Sequence, residues 1–358
     1  MPRIHHPPSG FRMPAEWEPH HATWIAWPHN REDWPGKFSP IAWVYAEIVR
    51  HLHHGERVCI LVQDDRLRSR AGNLLRRAGV DADQVDFFPF ATDRVWSRDF
   101  GPIFIKRELA GRSELAITNW KFNGWAKYSN WRRDNAIPAR IAQALKLKQW
   151  EPHWEVRKTS HRVVLEGGSI DVNGKGTLMT TEECLLSPVQ ARNPKLSRED
   201  MEGVFAAYLG IRKVLWLQNG IAGDDTHGHV DDLARFVNPT TVVVAQETDT
   251  NDANFQPLRK NLELLKSMTD QDGNPLEIVP LPMPRPLWFQ GQRLPASYAN
   301  FYIGNSAVLV PTFNDPHDRE ALSVLARLFP DREVIGIHSV DLVWGLGTLH
   351  CLSQQQPR

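Results

Sequence analysis

VLWL (214–217) and GHVDDLARFV (228–237) together show the pattern that decides the fold. An apolar strand leads into a segment rich in Gly, Asp and His, and a second apolar run follows. The same order recurs along the chain, with the middle segments WSRDFGPIFI (96–105), VVLEGGSIDV (163–172), SYANFYIGN (297–305) and GLGTLHC (345–351). The sequence therefore contains five related units.

One polar residue marks each unit, at Asp99, Glu166, His229, Asn300 and Cys351, with separations of 67, 63, 71 and 51 residues. Self-similarity at a roughly fixed period is typical of closed or stacked repeat folds. Each unit also contains a helix, unlike the four-stranded blade of ordinary β-propellers. We therefore predict an α/β fold of five pseudo-symmetric units around one axis, where these five residues converge. The last unit is short, and a strand at 22–27 is expected to complete it.

Apolar residues three and four positions apart predict six amphipathic helices. They are expected at 40–54, 65–78, 136–148, 198–210, 254–269 and 316–329. The sequence shows neither an interdomain linker nor a low-complexity tract, which predicts a single catalytic domain over residues 1–358. The neighbouring histidines 51, 53 and 54 are expected to form a solvated helix end.

The overall composition excludes several classes of protein. The 358 residues carry 42 Lys and Arg against 42 Asp and Glu, and a nucleic-acid-binding protein would need an excess of cations. The longest apolar runs, Val58–Val62 and Val242–Ala245, are too short to cross a membrane. Three scattered cysteines and no signal-peptide pattern predict a cytoplasmic protein. A homo-oligomer is compatible with this sequence.

Cys351 follows two glycines, Gly345 and Gly347, that allow the backbone to approach a ligand closely. A cysteine in such a segment is a candidate nucleophile if its thiolate is stabilised. The alternative is a small buried apolar residue. That alternative suits Cys59 and Cys184, which lie in the apolar runs VCILV and EECLL.

The segment DDTHGHVDD (224–232) has three interpretations. His227, His229 and Asp231 are similar to the HxHxD part of a zinc-hydrolase motif, although Asp232 stands where that motif has His. If the segment enters a strand, His229 and Asp231 instead point to the same face, and an acid–base imidazole lies beside a cation-binding carboxylate. The third interpretation is a solvated acidic loop.

Asp99 and Glu166 stand in apolar or glycine-rich surroundings. Carboxylates are rarely buried without a partner. Each is therefore expected either to pair with an internal arginine, for which Arg98 is the candidate beside Asp99, or to bind a cationic ligand.

The combination of these residues is more informative than any one of them. Three carboxylates (Asp99, Glu166 and Asp231), one imidazole and one thiol form a negative pocket beside a nucleophile. A guanidinium suits this pocket because it is planar, permanently charged and best held by charge-assisted hydrogen bonds. Its central carbon has poor leaving groups, so its hydrolysis requires a thiolate and an imidazolium that protonates the departing nitrogen.

Long motifs in this order resemble the agmatine deiminase and bacterial-type peptidylarginine deiminase family, within the guanidino-group-modifying superfamily of pentein folds. The resemblance runs nearly end to end. It rests on FRMPAEWEPH (11–20), WSRDFGP (96–102), FNGWAKY (122–128), LEGGSIDV (165–172), GTLMTTEECLL (176–186), DDTHGHVDDLARF (224–236), SYANFYIGN (297–305) and the Cys351 segment.

The resemblance implies a role for each of five residues. Cys351 is the nucleophile, His229 the general acid and base, and Asp99 and Asp231 the carboxylates that bind the guanidinium. Glu166 is a further carboxylate that orients His229 or the substrate. The implied reaction passes through a covalent amidino-cysteine, and no metal or organic cofactor takes part.

The chain departs from the common family pattern at Leu346, Ser353, His227 and Gly124, which affects the choice of substrate. Without an export signal, agmatine is favoured, giving N-carbamoylputrescine and ammonia in polyamine metabolism. Its far ammonium suits an aromatic or acidic wall, for which the candidates are Trp96, Trp125, Asp224 and Asp225. The alternatives are a deiminase of another guanidino substrate (peptidylarginine or arginine-like), a metallohydrolase and a non-catalytic binding protein.

Overall fold

A computed structural model describes residues 7–109, 111–156 and 159–358 of the chain, and the fold is mixed α/β. The predicted domain, 1–358, therefore includes residues 1–6, 110, 157 and 158, which lie outside the described residues. The described strands are β1 (His20–Ala26), β2 (Arg57–Leu61), β3 (Val85–Phe88), β4 (Ile103–Leu109), β5 (Arg112–Thr118), β6 (Lys148–Trp150), β7 (His153–Val156), β8 (Thr159–Arg162), β9 (Asp171–Val172), β10 (Thr177–Thr181), β11 (Lys213–Leu217), β12 (Ala234–Phe236), β13 (Thr241–Gln246), β14 (Glu277–Pro282), β15 (Trp288–Phe289), β16 (Gln292–Arg293), β17 (Tyr302–Ile303), β18 (Ala307–Thr312), β19 (Glu333–His338) and β20 (Ser353–Pro357).

Five sheets share one local topology. In each, a strand pairs antiparallel with one neighbour and parallel with the other. The orders are β4-β5-β6, β9-β10-β11, β12-β13-β14, β17-β18-β19 and β20-β1-β2-β3, and the last sheet has one further parallel strand. Parallel neighbours need a long crossover, and helices supply most of these connections.

The first described strand pairs with the last one. β1 runs antiparallel to β20, with Thr23 opposite Gln355 and Ile25 opposite Ser353, and parallel to β2. The sequence predicts that the strand at 22–27 completes the final unit, and this pairing agrees with it. Cys351 lies two residues before β20, so the pairing also fixes the backbone on which this thiol stands.

All six predicted helices are present, with ends within three residues of the predicted ones. The structure has α1 (Phe38–Leu52), α2 (Asp65–Arg77), α5 (Ile137–Leu145), α7 (Arg198–Leu209), α8 (Phe255–Ser267) and α9 (Asp318–Leu328), together with the short helices α3 (Ser97–Phe100), α4 (Arg132–Asn135) and α6 (Glu182–Leu186). Local chemistry sets some of these ends. The hydroxyl of Ser197 accepts from the N–H of Asp200, whose carboxylate accepts from the N–H of Ser197, so α7 begins in a capping box.

Apolar side chains of the helices and strands form the buried core. Cys59 and Cys184 are buried within it, as predicted. The prediction of a solvated helix end is wrong for His53, which directly follows α1 and is buried, with its Nδ1 3.2 Å from the carbonyl oxygen of Val49. None of the described helices is long and apolar enough to cross a membrane.

Candidate active site

The five polar residues that mark the units stand in a short helix, at 3₁₀ turns or shortly before strands. Asp99 lies in α3, Glu166 and His229 each precede a single 3₁₀ turn, Asn300 lies two residues before β17, and Cys351 two residues before β20. All five side chains are buried. Turns at strand ends leave their side chains free to point away from the sheet, so these positions are suited to chemistry.

His229 stands among three carboxylates. Its Nδ1 lies 3.7 Å from Oδ1 of Asp99 and 4.0 Å from Oδ1 of Asp231, and its Nε2 lies 3.7 Å from Oε2 of Glu166. Among the described residues, neither ring nitrogen has a hydrogen-bond partner. Burial by itself would lower the pKa of His229, but the carboxylates of Asp99 and Glu166 outweigh it and hold the pKa well above its usual range. This environment therefore favours the imidazolium form of the ring.

Cys351 contacts an amide and a carboxylate. Asn300 Nδ2 donates to its Sγ at 3.1 Å, and Oδ2 of Asp231 lies 3.8 Å from the same sulfur. Burial, followed by the negative charges of Asp231, Asp232 and Asp99, raises the pKa of Cys351 well above its usual range. These charges therefore favour the neutral thiol, and a cation that offsets them would favour the thiolate.

Asp99 accepts two hydrogen bonds, from Trp125 Nε1 at 2.8 Å and from the backbone N–H of Gly168 at 3.1 Å. Burial and the charges of Asp231 and Glu166 raise its pKa to about 6, against the opposing effect of His229.

The expected partner of Asp99, Arg98, points elsewhere. Its Nη2 donates to Glu16 at 2.9 Å and its Nη1 to Gln355 at 2.6 Å. The prediction of an Asp99–Arg98 pair is wrong because adjacent residues of a helix do not face each other.

Glu166, in contrast, has an internal arginine as its partner. Arg192 Nε donates to its two carboxylate oxygens at 3.1 and 3.3 Å, and both side chains are fully buried. Burial would raise the pKa of Glu166, but the charges of Arg192 and His229 keep it below its usual value. Glu166 is therefore ionised and fixed beside the imidazole.

The structure does not assemble the HxHxD ligand set. His227 turns to the helix α6, with Nε2 3.2 Å from Ser187 Oγ and Nδ1 3.8 Å from Glu183. Its φ of +63° and that of Gly228, +94°, turn the chain so that the two histidines separate. Within the described ranges, the groups of three possible metal ligands are Glu166, Cys184 and His229, and Asp231, Asp232 and Cys351, without His227. In the first group, Glu166 is already paired with Arg192.

The other two interpretations of this segment also need correction. Residues 230–232 form a 3₁₀ turn instead of a strand, so His229 and Asp231 approach each other through a turn and not along one strand face. Asp224 is not a solvated loop carboxylate. Its oxygens accept from the backbone N–H groups of Thr226, Gly228 and His229 at 2.7, 2.7 and 3.1 Å, which fixes the loop that carries the imidazole.

A cleft of about 700 Å³ opens onto Cys351 and Asp99. Trp96 and Trp125 lie in its wall. His229, Asp231 and Glu166 lie behind the cleft surface and are completely buried. A ligand in the cleft therefore meets the thiol and one carboxylate first.

Further along the cleft, charged residues are already paired. Asp225 accepts from Lys127 and from the Tyr128 hydroxyl, and Asp33 accepts from Arg94 Nη1 at 2.7 Å. Glu32 also lines the cleft. Both cations of the lining thus already have carboxylate partners.

Comparison with known proteins identifies the family of this chain. A family model described as Porphyromonas-type peptidyl-arginine deiminase matches residues 12–357. The chain belongs to this family.

Similar proteins extend over nearly the whole chain. Agmatine deiminases of Medicago truncatula and Ectopseudomonas mendocina are 36% and 34% identical to it, and each alignment covers 97% of this chain and 96% of the relative. A solved structure of agmatine deiminase from Enterococcus faecalis has a TM-score of 0.86 at 30% identity, and covers 98% of this chain and 96% of that one.

In this family member, sequence reasoning missed several residues that contact the site. The repeat spacing marked Asn300 without indicating a chemical role for it, and nothing in the sequence pattern marked His350, which stands next to Cys351. Arg192 lies in a loop with no periodic signal. The spacing that placed Asp99 and His229 at the axis also placed Asn300 there, but it gave the amide no chemical role.

Proposed function

We propose that this protein is an agmatine deiminase, which hydrolyses the guanidinium of agmatine to N-carbamoylputrescine and ammonia. One observation carries the proposal: the cleft is lined by a thiol, Cys351, whose sulfur lies 3.8 Å from a carboxylate oxygen of Asp231. This environment opposes a thiolate in the free protein and favours it when a guanidinium is bound. The named agmatine deiminases among the relatives support the same conclusion.

Asp99 and Asp231 bind the guanidinium. Oδ1 of Asp231 is buried and has no hydrogen-bond partner among the described residues, so it is available to a substrate N–H. Charge-assisted hydrogen bonds from a planar guanidinium to carboxylates are the strongest available here. The indoles of Trp96 and Trp125 form the wall along which the alkyl chain lies.

The bound cation then activates Cys351. Asp231, Asp232 and Asp99 raise the pKa of the thiol, and a positive charge between them and the sulfur offsets their effect. The thiol proton leaves to solvent or to a site base as the cation binds.

The reaction proceeds in two halves. The Cys351 thiolate attacks the guanidine carbon, and the His229 imidazolium donates a proton to the departing nitrogen, which leaves as ammonia. The product of this half is a covalent amidino-cysteine. Neutral His229 then takes a proton from water, and the resulting hydroxide adds to the same carbon. The adduct loses its hydroxyl proton to solvent as the C–S bond breaks, which releases N-carbamoylputrescine and the thiolate. Glu166 holds His229 in place and favours its cationic form.

The proposal also includes the fold, the domain organisation and the location of the protein. Five α/β units, each with one of the repeated sheets, surround one axis as a pentein propeller and form a single catalytic domain over residues 1–358. The site lies at the axis, which explains how residues from all five units meet. The enzyme acts in the cytoplasm without a metal or organic cofactor. The free thiols of all three cysteines support that location.

The cleft favours agmatine over substrates with a carboxylate. Arginine would need a free cation for its α-carboxylate, whereas Arg94 and Lys127 are already paired with Asp33 and Asp225. Glu32, which also lines the cleft, is an acidic group suited to an ammonium.

Ammonia release from agmatine by EDTA-treated protein tests this function, with arginine and a peptidyl-arginine as competing substrates. Turnover of agmatine that persists with chelator is the expected result. Turnover of only one of the other substrates would shift the assignment to that substrate. Activity that returns only with zinc would instead show a metallohydrolase.

The pH profile provides a first prediction. Asp99 must be ionised to bind a cation, and its pKa is about 6. We expect kcat/KM for agmatine to fall about tenfold per unit as pH drops below about 6. Protonation of Asp99 does not itself unfold the protein, since a folded-state pKa above the unfolded value of 3.8 means that protonation of this group stabilises the folded protein. The circular dichroism spectrum should remain that of the native protein across the same pH values. If kcat/KM did not fall at pH values below about 6, Asp99 would have no part in binding.

A second prediction concerns Gly168. A Cβ at this residue would lie 2.6 Å from His229 Nδ1, 2.8 Å from Asp99 Oδ1 and 3.0 Å from Asp231 Oδ2, so Gly168→Ala must displace reacting groups. We expect kcat/KM to fall by about 100-fold or more, because a shift of about 1 Å is enough for that loss. In the control, Gly72→Ala, the new Cβ meets only Phe87 at 3.9 Å, and activity should be unchanged.

A further inference from the structure

Glu16, from the N-terminal motif FRMPAEWEPH (11–20), is a buried carboxylate without a part in the proposed reaction. Its side chain is 4% exposed. Its Oε1 accepts from Arg235 Nη2 at 3.0 Å and from the backbone N–H of Ile303 at 2.8 Å, and its Oε2 accepts from Arg98 Nη2 at 2.9 Å. Donors from three distant parts of the chain therefore fix this carboxylate.

His350 connects Glu16 to the site. Its Nε2 lies 2.8 Å from Oε2 of Glu16, and its Nδ1 lies 2.6 Å from Oδ2 of Asp231. The backbone N–H of His350 donates to Asn300 Oδ1 at 3.0 Å, so its main chain is held as well as its ring. A continuous buried chain thus runs from Glu16 through His350 to Asp231, whose Oδ2 lies 3.8 Å from the sulfur of Cys351.

The hydrogen bond from His350 makes the two carboxylate oxygens of Asp231 different. Oδ2 faces His350 and Cys351, whereas Oδ1 has no hydrogen-bond partner among the described residues and lies 4.0 Å from His229 Nδ1. A carboxylate free to rotate would lose this distinction. Anchoring Oδ2 therefore aims Oδ1 at the place where a guanidinium must lie to meet both the thiol and the imidazolium.

Glu16 belongs to a buried network of acidic and basic side chains. Three carboxylates, Glu16, Asp171 and Asp231, alternate with the two guanidinium groups of Arg98 and Arg235 and the ring of His350. An ionised carboxylate only accepts hydrogen bonds, so the contacts of His350 require a donor at each ring nitrogen. Buried ions need such complete pairing to be tolerated. A substitution at Glu16 is therefore expected to disturb Asp231 through His350.

We propose that Glu16 and His350 are positioning residues that hold Asp231 in the orientation needed to bind the guanidinium. The inference rests on the proposed function, in which Asp231 binds that group. Neither residue touches the reacting atoms in this mechanism, and both act through Asp231. The N-terminal motif thereby contributes to catalysis although no residue of it lines the cleft.

Two substitutions at His350 separate this role from a general structural one. The amide nitrogen of Asn occupies roughly the place of Nδ1, and that of Gln roughly the place of Nε2. His350→Asn therefore keeps the donor to Asp231 and loses the one to Glu16, whereas His350→Gln keeps the donor to Glu16 and loses the one to Asp231. Each removes the ring and one of its two hydrogen bonds, so similar losses in Tm are expected.

The activities of the two variants should differ. We expect His350→Gln to lower kcat/KM for agmatine by about 100-fold and His350→Asn by less than about 10-fold. The loss should also appear as weaker agmatine binding when both changes are placed in a Cys351→Ala background. Equal losses in the two variants would overturn the positioning role.

Glu16→Gln tests the far end of the chain. In the wild type, Glu16→Gln should lower kcat/KM about 10-fold. In the His350→Asn background, where the hydrogen bond between residue 350 and Glu16 is already lost, it should lower kcat/KM by less than about 3-fold. The matched control is Glu56→Gln, because Glu56 forms the same kind of buried pair with His20, at 3.0 Å, and its other bonds go to Thr23 and Asn305. That control should lower Tm and leave kcat/KM unchanged. Equal effects of Glu16→Gln in both backgrounds would contradict the proposal that Glu16 acts through His350.

A measurement that needs no turnover separates failure of this inference from failure of the proposed function. The pH midpoint for alkylation of Cys351 by iodoacetamide, followed by mass spectrometry, reports the negative charge beside the sulfur. Displacing Asp231 should lower this midpoint in His350→Gln and leave it unchanged in His350→Asn. Identical midpoints in the two variants would overturn the inference, whether or not the wild type releases ammonia from agmatine. Failure of the wild type to release ammonia would refute only the assignment of agmatine as the substrate.

Discussion

Replacing Cys351 by alanine is expected to lower ammonia release from agmatine by at least about 10⁴-fold, because the covalent route then has no nucleophile. The fold should survive. The substitution removes one buried sulfur that accepts a single hydrogen bond, from Asn300, which predicts a stability change of about 1 kcal/mol. Steady-state kinetics and a thermal melt of the same preparation measure both effects.

Cys59→Ala is the control for this substitution. Cys59 lies buried in β2, where burial raises the pKa of its thiol to about 12. Its removal should leave turnover within about a factor of two. If Cys351→Ala kept a tenth of wild-type activity while Cys59→Ala did not, the nucleophile would have been assigned to the wrong cysteine.

The second large effect is expected for Asp99→Asn, which should lower kcat/KM for agmatine by about 10²- to 10⁴-fold. Hydrogen bonds to charged groups contribute about 1.5–3 kcal/mol each, and two of them account for this range. The new amide also disturbs existing bonds. Both oxygens of Asp99 accept, from Trp125 and from Gly168, so an NH₂ group must face one of these donors. Asp231→Asn should cause a loss of similar size.

Calorimetric titration of agmatine into the Cys351→Ala protein, with and without Asp99→Asn, shows whether the loss lies in binding. The matched control is Asp318→Asn, because Asp318 also accepts from an aromatic side chain and a backbone N–H, those of Tyr298 at 2.7 Å and Phe313 at 3.0 Å. It should weaken the fold and leave the affinity for agmatine unchanged. Unaltered agmatine binding in Asp99→Asn would remove this carboxylate from the site.

Much of the architecture was predictable from repetition. Periodic apolar residues located the six long helices, and the spacing of Asp99, Glu166 and His229 indicated that they meet. Periodicity works for these features because it depends on many residues at once. The pairing of β1 with β20 was predictable for a related reason, since the last unit lacked a strand.

Individual side-chain directions were not predictable. Arg98 turns to Glu16 and not to Asp99, and His227 turns away from His229 because its backbone adopts a positive φ, which non-glycine residues rarely do. Leu346, five residues before Cys351, also has a positive φ, of +67°. Such conformations depend on long-range contacts, which one sequence does not display. The partners Arg192 and Glu16 were missed for the same reason.

The pairing of β1 with β20 has a consequence for biosynthesis. During translation β1 emerges early, yet its antiparallel partner, residues 353–357, is made after every other described strand. The thiol of Cys351 leaves the ribosome just before that partner and far behind Asp99 and His229. A nascent chain that ends before Cys351 therefore carries Asp99 and His229 without the proposed nucleophile. We expect truncated chains that lack β20 to be inactive, because β1 then has no antiparallel partner beside Cys351.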